Sequence, residues 1–291
     1  MRKLIILIQL FIRIIVRRAV WISLLSFGLI FTIFCFLYVY GNEPFLALNE
    51  TVYGQAVLTL VFMMMGIELL REQRRENLDD IFAAYSKSPA LIPCAQVLVL
   101  GFIAAIVTLI ITAGCYIRMA MDGAPALWIG QSLGYAVLLY FLPCWVLGVW
   151  GLLISKWNKG KSVYLPAMLV WFFTSSLCAY LIYYIEAAGF SSGGFLLNAF
   201  NMGINNFHVP GNIMTGSPIE MPRWIVRVGI LTLLTALFLC DNPRRFASTS
   251  KKNKWAWIRA ASVIVWGFAL IAFFYLSFSV FFTRFADPAA V

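Results

Sequence analysis

The chain has 291 residues, 62% of them hydrophobic and 12% charged, with a formal charge of +10 and a mean hydropathy of +0.88. That balance excludes a soluble globular domain, whose charged share is nearer about 25%. The positive excess lies in short connections beside apolar stretches, where membrane topology and anionic lipid account for it without nucleic acid.

The predicted fold is all-α, a polytopic membrane helical bundle of about six core spans plus a seventh, preceded by an amphipathic helix. In residues 1–18 the cations Arg2, Arg13 and Arg17 interrupt Leu4, Ile5, Leu7, Ile8, Phe11, Ile14 and Ile15. Apolar spacings of three, four and seven make one greasy face, as expected of a helix lying in a membrane interface. The plainer alternative is a cationic start to the first span. No signal peptide is expected, because the first apolar run is broken by cations and lacks a small-residue cleavage site.

The expected spans are Val20–Tyr40, Val52–Met65 with an extension to Leu70, Pro93–Cys115, Ser132–Ile154, Ser162–Ile185, Trp224–Cys240 and Ala260–Phe282. Each approaches the length of an apolar helix that crosses a ~30 Å hydrocarbon layer. Pro143 and Pro166 are expected to kink the fourth and fifth spans. Gly130 and Gly134 have the spacing of a close helix contact.

Between the second and third spans lies Glu68–Ser88, the extended charged segment of the chain. As a helix it carries Leu69, Leu70, Leu78, Ile81 and Phe82 beside Glu72, Arg75, Glu76, Asp79 and Asp80. Arg75 and Asp79 would stand at i,i+4. Ser88 would cap the next helix, with Pro89 or Pro93 breaking this one. Such a helix either docks against a partner or forms a solvated hairpin. The longest connection, Glu186–Arg223, is rich in Gly and Pro. Its apolar piece Phe195–Phe200 is too short to span and is expected to dip into the membrane as a re-entrant helix.

Basic residues set the orientation. The N-terminus and the second, fourth and sixth connections hold 18 of the 22 Lys and Arg, leaving Arg118, Arg223, Arg227 and Arg284 opposite. The basic side is expected to be cytoplasmic, so the chain should be a multi-pass protein of the inner (cytoplasmic) membrane with its N-terminus inside. With seven spans the C-terminus would lie outside.

Chemistry-bearing patterns are sparse. The spans contain almost no ionisable groups, although membrane enzymes and ion-driven carriers place them at membrane depth. Glu68 is at the end of the second span, and Arg227, three residues into the sixth, is expected to snorkel outward. Gln96 and Gln131 at span ends, and Thr108, Thr112, Thr174, Ser175 and Ser176 inside, either line a pathway or bond across helices. The six cysteines are scattered without CxxC spacing, and His208 is the single histidine. No catalytic, cofactor-binding or metal-binding residue is therefore assigned. Gly160-Lys161-Ser162 imitates the end of a phosphate loop, but position 155 is Ser, no strand precedes it and an apolar span follows at once.

The run Glu72-Gln73-Arg74-Arg75-Glu76-Asn77-Leu78-Asp79-Asp80-Ile81-Phe82-Ala83-Ala84-Tyr85-Ser86-Lys87-Ser88 resembles a motif of the permease subunit of type-2 ATP-binding-cassette exporters. Glu72, Leu78, the acidic Asp79 and the apolar pair Ile81–Phe82 fit that pattern, whereas Glu76 replaces its glycine and Tyr85 its proline. An interfacial first helix and short re-entrant helices before the last core span extend the resemblance over residues 1–245. The remainder, 246–291, would be a basic connection and an accessory seventh segment, which either spans, lies in the interface, or belongs to a longer protein. The resemblance implies a coupling helix at 68–88 that meets a separate nucleotide-binding ATPase subunit, with Leu78, Ile81 and Phe82 as its docking face and Glu72 and Asp79 orienting it through charge pairs. It also implies a second permease subunit, identical or related, membrane lipid as surroundings, and no ATP hydrolysis on this chain. The alternative is a non-transporting membrane component, such as a sensor or assembly partner of an envelope or antibiotic-resistance system.

Overall fold

A computed structural model describes residues 2–40, 51–76, 78, 91–124, 136–158, 161–175, 202 and 221–240. Among the described residues there is helix and turn but no strand. Seven α-helices occur there: α1 (Arg2–Val16), α2 (Ala19–Tyr40), α3 (Val52–Arg75), α4 (Leu91–Met121), α5 (Leu142–Trp157), α6 (Tyr164–Thr174) and α7 (Met221–Cys240). Four helical stretches are long and apolar enough to cross a membrane: α2, α3, α4, and α5 with the turn that leads into it. They mark the chain as a membrane protein. They correspond to the first four expected spans, while the apolar parts of α6 and α7 are shorter. The seventh expected span, Ala260–Phe282, lies outside the described residues.

The helices α1 to α6 belong to one compact unit, Met1–Ile219. Its centre is α5, nearly every residue of which is buried from Leu142 to Ser155. Helices approach closely where glycine removes the side chain. A methyl group on Gly66 would lie 2.2 Å from the carbonyl oxygen of Gly148, and one on Gly151 would lie 2.1 Å from that of Met63. The α3–α5 seam is therefore backbone against backbone, a packing mode suited to lipid, where area burial alone gives helices little reason to associate. The expected contact motif at Gly130 and Gly134 lies outside the described residues.

One helix end and one of the two prolines differ from the sequence expectation, each for an identifiable reason. Helix α4 runs through 31 residues, about 46 Å of rise, because nothing breaks it at Cys115. It ends at Gly123, where φ is +70°. There the Gly123 N–H donates to Ala120 and the Ala124 N–H donates to Met119, the paired bonds of a Schellman cap. The fourth span is irregular near Pro143, as expected. The distortion is a π-helical turn over Val137–Phe141, in which the Leu142 N–H donates to the Val137 carbonyl five residues back. Pro143 has no N–H to offer the Leu139 carbonyl, which accounts for the altered ladder. Pro166 does not kink a span. It sits in the first turn of α6, where its missing N–H is not required, and α6 stops at Ser175 in an extended conformation.

The hydroxyls expected to line a pathway or bond across helices mostly bond back to their own helix. Thr108 donates to Ala104 at 2.8 Å, Thr112 to Thr108 at 2.7 Å, Thr174 to Val170 at 2.7 Å and Ser175 to Phe172 at 3.0 Å. This i−4 or i−3 pattern satisfies a hydroxyl in an apolar bundle without a partner helix. Ser176 lies outside the described residues. Two indoles bond across helices: Trp145 donates to Val97 at 2.9 Å, and Trp171 to Ala56 at 3.0 Å.

Helix α7 belongs to a second unit, Glu220–Val291. One of its faces is buried: Arg227, Ile230, Leu231, Leu234 and Phe238. Arg227, for which outward snorkelling is the sequence expectation, is only 2% exposed.

Candidate functional site

The expected coupling segment begins inside the bundle. Gly66 to Arg75 contains no helix breaker, and Arg74 and Arg75 place positive charge at the helix C-terminus, where the macrodipole favours it. Helix α3 consequently continues three turns past Met65, and Glu76 closes it with its N–H donated to the Glu72 carbonyl at 2.9 Å. Residues 68–75 are thus the end of α3, a helix long and apolar enough to cross a membrane, and not part of a separate one.

Those last turns carry a polar junction. Helix α1 ends at Val16, and the short elbow Arg17–Arg18 leads into α2. From that elbow Arg18 donates to Glu68 at 3.3 Å and makes a second ion pair with Glu72. Arg71 donates to Glu68 at 2.7 Å and to the hydroxyl of Tyr164, which itself donates to Glu68. The Arg71 guanidinium also lies 5.4 Å from the centre of the Tyr164 ring, within cation–π range. Glu68 and Glu72 are mostly covered, with side chains 15% and 12% exposed. Two carboxylates at that burial require cationic partners, and Arg18 and Arg71 supply them.

Further ties reach two more helices. Gln96 of α4 donates to Gln73 at 2.5 Å, both side chains being buried. Arg74 donates to the carbonyl of Ser155 on α5 at 3.0 Å, and the Ser155 hydroxyl donates back to Ile67 at 3.3 Å. The end of α3 is therefore joined by polar side chains to the α1–α2 elbow, α4, α5 and α6. Among the described residues no three His, Cys, Asp or Glu side chains come together as metal ligands.

Of the five residues assigned from sequence, Glu72 stands in this junction, its carboxylate turned into the bundle and paired with Arg18. Leu78 is helical and half-buried. Asp79, Ile81 and Phe82 lie outside the described residues, as do the Arg75–Asp79 pair and Ser88. Sequence reasoning missed Arg18, Arg71, Tyr164 and Gln73, whereas Gln96, expected at a span end to line a pathway or bond across helices, bonds across to Gln73. The signal available for Arg18 and Arg71 was a charge at the end of an apolar run near Glu68 and Glu72.

A second polar contact occurs at the opposite end of α3. Gln55 is fully buried and donates to the Met202 carbonyl at 2.5 Å, while the Met202 N–H donates to the carbonyl of Thr174. Met202 thus bridges α3 and the end of α6. The re-entrant segment expected around it otherwise lies outside the described residues, as does His208. No known protein family, curated protein or solved structure matches this chain.

Proposed function

We propose that the chain is the membrane-spanning permease subunit of an ATP-driven exporter of the inner membrane, its basic side cytoplasmic. In this reading two permease subunits enclose the pathway and separate nucleotide-binding subunits hydrolyse ATP. The observation that carries the proposal is the polar junction. A coupling element must receive force outside the membrane and pass it to several spans, and residues 68–75 are rigidly continuous with α3 and tied to four neighbouring elements. The family motif follows directly at Glu72–Ser88, so the receiving surface would begin where the junction ends. Leu78, Ile81 and Phe82 form its apolar contact in this reading, with Asp79 beside them. Glu72 orients the receiving end through its charge pair with Arg18.

The test is co-purification. Ile81→Asp combined with Phe82→Asp puts two carboxylates into an apolar contact, which is unfavourable by several kcal/mol when the contact is dry. The ATPase should dissociate or lose its stimulation while the permease still inserts. An ATPase that stays bound and fully coupled would place the docking surface elsewhere.

A further inference from the structure

The junction contains more positive charge than its carboxylates neutralise. Arg18 and Arg71 occupy Glu68 and Glu72, leaving Arg17 and Arg75 at the periphery. The Arg17 side chain is 83% exposed and 3.7 Å from Glu76, and that of Arg75 is 76% exposed and 3.7 Å from Glu72. At those distances and exposures the ion pairs hold their cations weakly. Arg13 is also exposed, one turn before Arg17 on α1. The first 18 residues contain five cations and no acid.

Apolar surface frames this charge. Helix α1 seats Leu7, Phe11 and Ile15 in the bundle, each 5% exposed or less. The opposite arc carries Gln9 and Arg13 and leads to Arg17 at the elbow, and Ile5, Ile6 and Val16 share that arc, each at least 42% exposed. An amphipathic helix usually has one polar and one apolar side; this one has an apolar inner face and an outer face that mixes basic and aliphatic residues. The aliphatic edge continues from Val16 into Val20, Phe27, Ile30 and Phe34, the exposed wall of α2, which is the surface a membrane-crossing helix gives to acyl chains.

We infer that the outer arc of α1, with Arg13, Arg17 and Arg75, is a docking surface for the headgroups of anionic phospholipids in the surrounding bilayer. The guanidinium groups meet the phosphates, and Ile5, Ile6 and Val16 meet the first methylenes of the chains. Continuity with the α2 wall selects lipid over a protein partner, since one unbroken apolar edge serves both helices. The inference rests on α2 crossing a membrane and not on the transport reading.

The experiment uses the full chain in nanodiscs of phosphatidylcholine alone or with roughly one third phosphatidylglycerol, reading the thermal unfolding midpoint. Anionic lipid should raise the wild-type midpoint by roughly 5 °C or more. The triple variant Arg13→Gln, Arg17→Gln, Arg75→Gln should match wild type in phosphatidylcholine and lose most of that rise. Arg118→Gln, at the far end of α4, should keep it. If the triple variant does not assemble, the double variant Arg13→Gln, Arg17→Gln carries the same comparison. No wild-type rise, an equal rise in the depleted variant, or a full rise produced by inorganic phosphate in phosphatidylcholine would each overturn the inference. None of these readings involves an ATPase, so the outcome is separate from that of the coupling test.

Discussion

Replacing Gly151 by Ala tests the α3–α5 seam with a single methyl group. The added carbon would sit 2.1 Å from the Met63 carbonyl oxygen and 3.0 Å from its carbon, where ordinary contact begins at 3.4 Å. The obstruction is backbone, so it cannot rotate away, and the helices must part locally by about 1.3 Å. A gap of that size forfeits much of the dispersion between the lining side chains, which attract only at close range. Two opposing magnitudes decide the sign. Alanine is preferred over glycine in a helix by up to about 1 kcal/mol, whereas overpacking against an unyielding neighbour costs about 1–3 kcal/mol. With backbone as the obstacle the upper end applies, and a net loss of about 2 kcal/mol is expected. Gly229→Ala is the matched control: its methyl meets nothing within 4 Å, so only the helix preference remains and stability should hold or rise. Unfolding midpoints in detergent distinguish the two. A Gly151→Ala protein as stable as Gly229→Ala would show that α3 and α5 are not in backbone contact.

The Arg18–Glu72 pair should show a coupling energy of about 1–2 kcal/mol in a double-mutant cycle of Arg18→Ala and Glu72→Ala, since both groups are only partly covered; zero coupling would remove the elbow from the junction. Phe11→Ala should destabilise assembly by about 3 kcal/mol as a fully buried side chain, while Ile6→Ala, on the exposed arc, should change it little; equal effects would mean that α1 is seated the other way round. Cysteines introduced at Ser192 and Ser248 should react oppositely with an impermeant thiol reagent in intact cells, Ser192 reacting and Ser248 protected. Reaction at Ser248 alone would invert the proposed orientation.

Much of the fold was legible because an apolar run of span length has few alternatives. The first four spans were each located to within a few residues at one end or both. Errors arose where a span boundary depended on something other than hydropathy. The extension of α3 to Arg75 follows from helix propensity and charge at its C-terminus, so an end placed at the last apolar residue fell short. Pro166 was read as a kink because its span was assumed to start earlier than Tyr164. Arg227 was assigned to the surface by its closeness to a span end, yet it is buried. The junction itself was half legible. Glu68 and Glu72 were conspicuous as acids, but their partners Arg18 and Tyr164 lie 50 and 96 residues from Glu68 in sequence, and no local pattern pairs residues at such separations.

The distribution of interactions along α3 supplies the physical basis for treating that helix as a transmitter. Around Gly66 it meets α5 by backbone contact, a fit that tolerates little sliding because close-packed surfaces have few alternative registers. In its last two turns it is held by charged and amide side chains, whose bonds re-form after small rotations; Glu68 alone is shared among Arg18, Arg71 and Tyr164. In the proposed transport reading, a close contact at the middle and polar ties at the basic end would make α3 a lever with a fixed pivot. Movement at residues 68–75 would then rotate the helix about the glycine seam and carry the motion to Gln55, whose amide holds Met202 at the other end. The seam and the junction therefore make separable contributions. Gly151→Ala should weaken the bundle as a whole, whereas loss of Arg18 should leave the seam intact and loosen only the end of α3. Hydrogen exchange localised to residues 68–76 in an Arg18→Ala protein, with α5 unchanged, is the expected signature. Exchange that rose equally in α5 would show that junction and seam open as one unit.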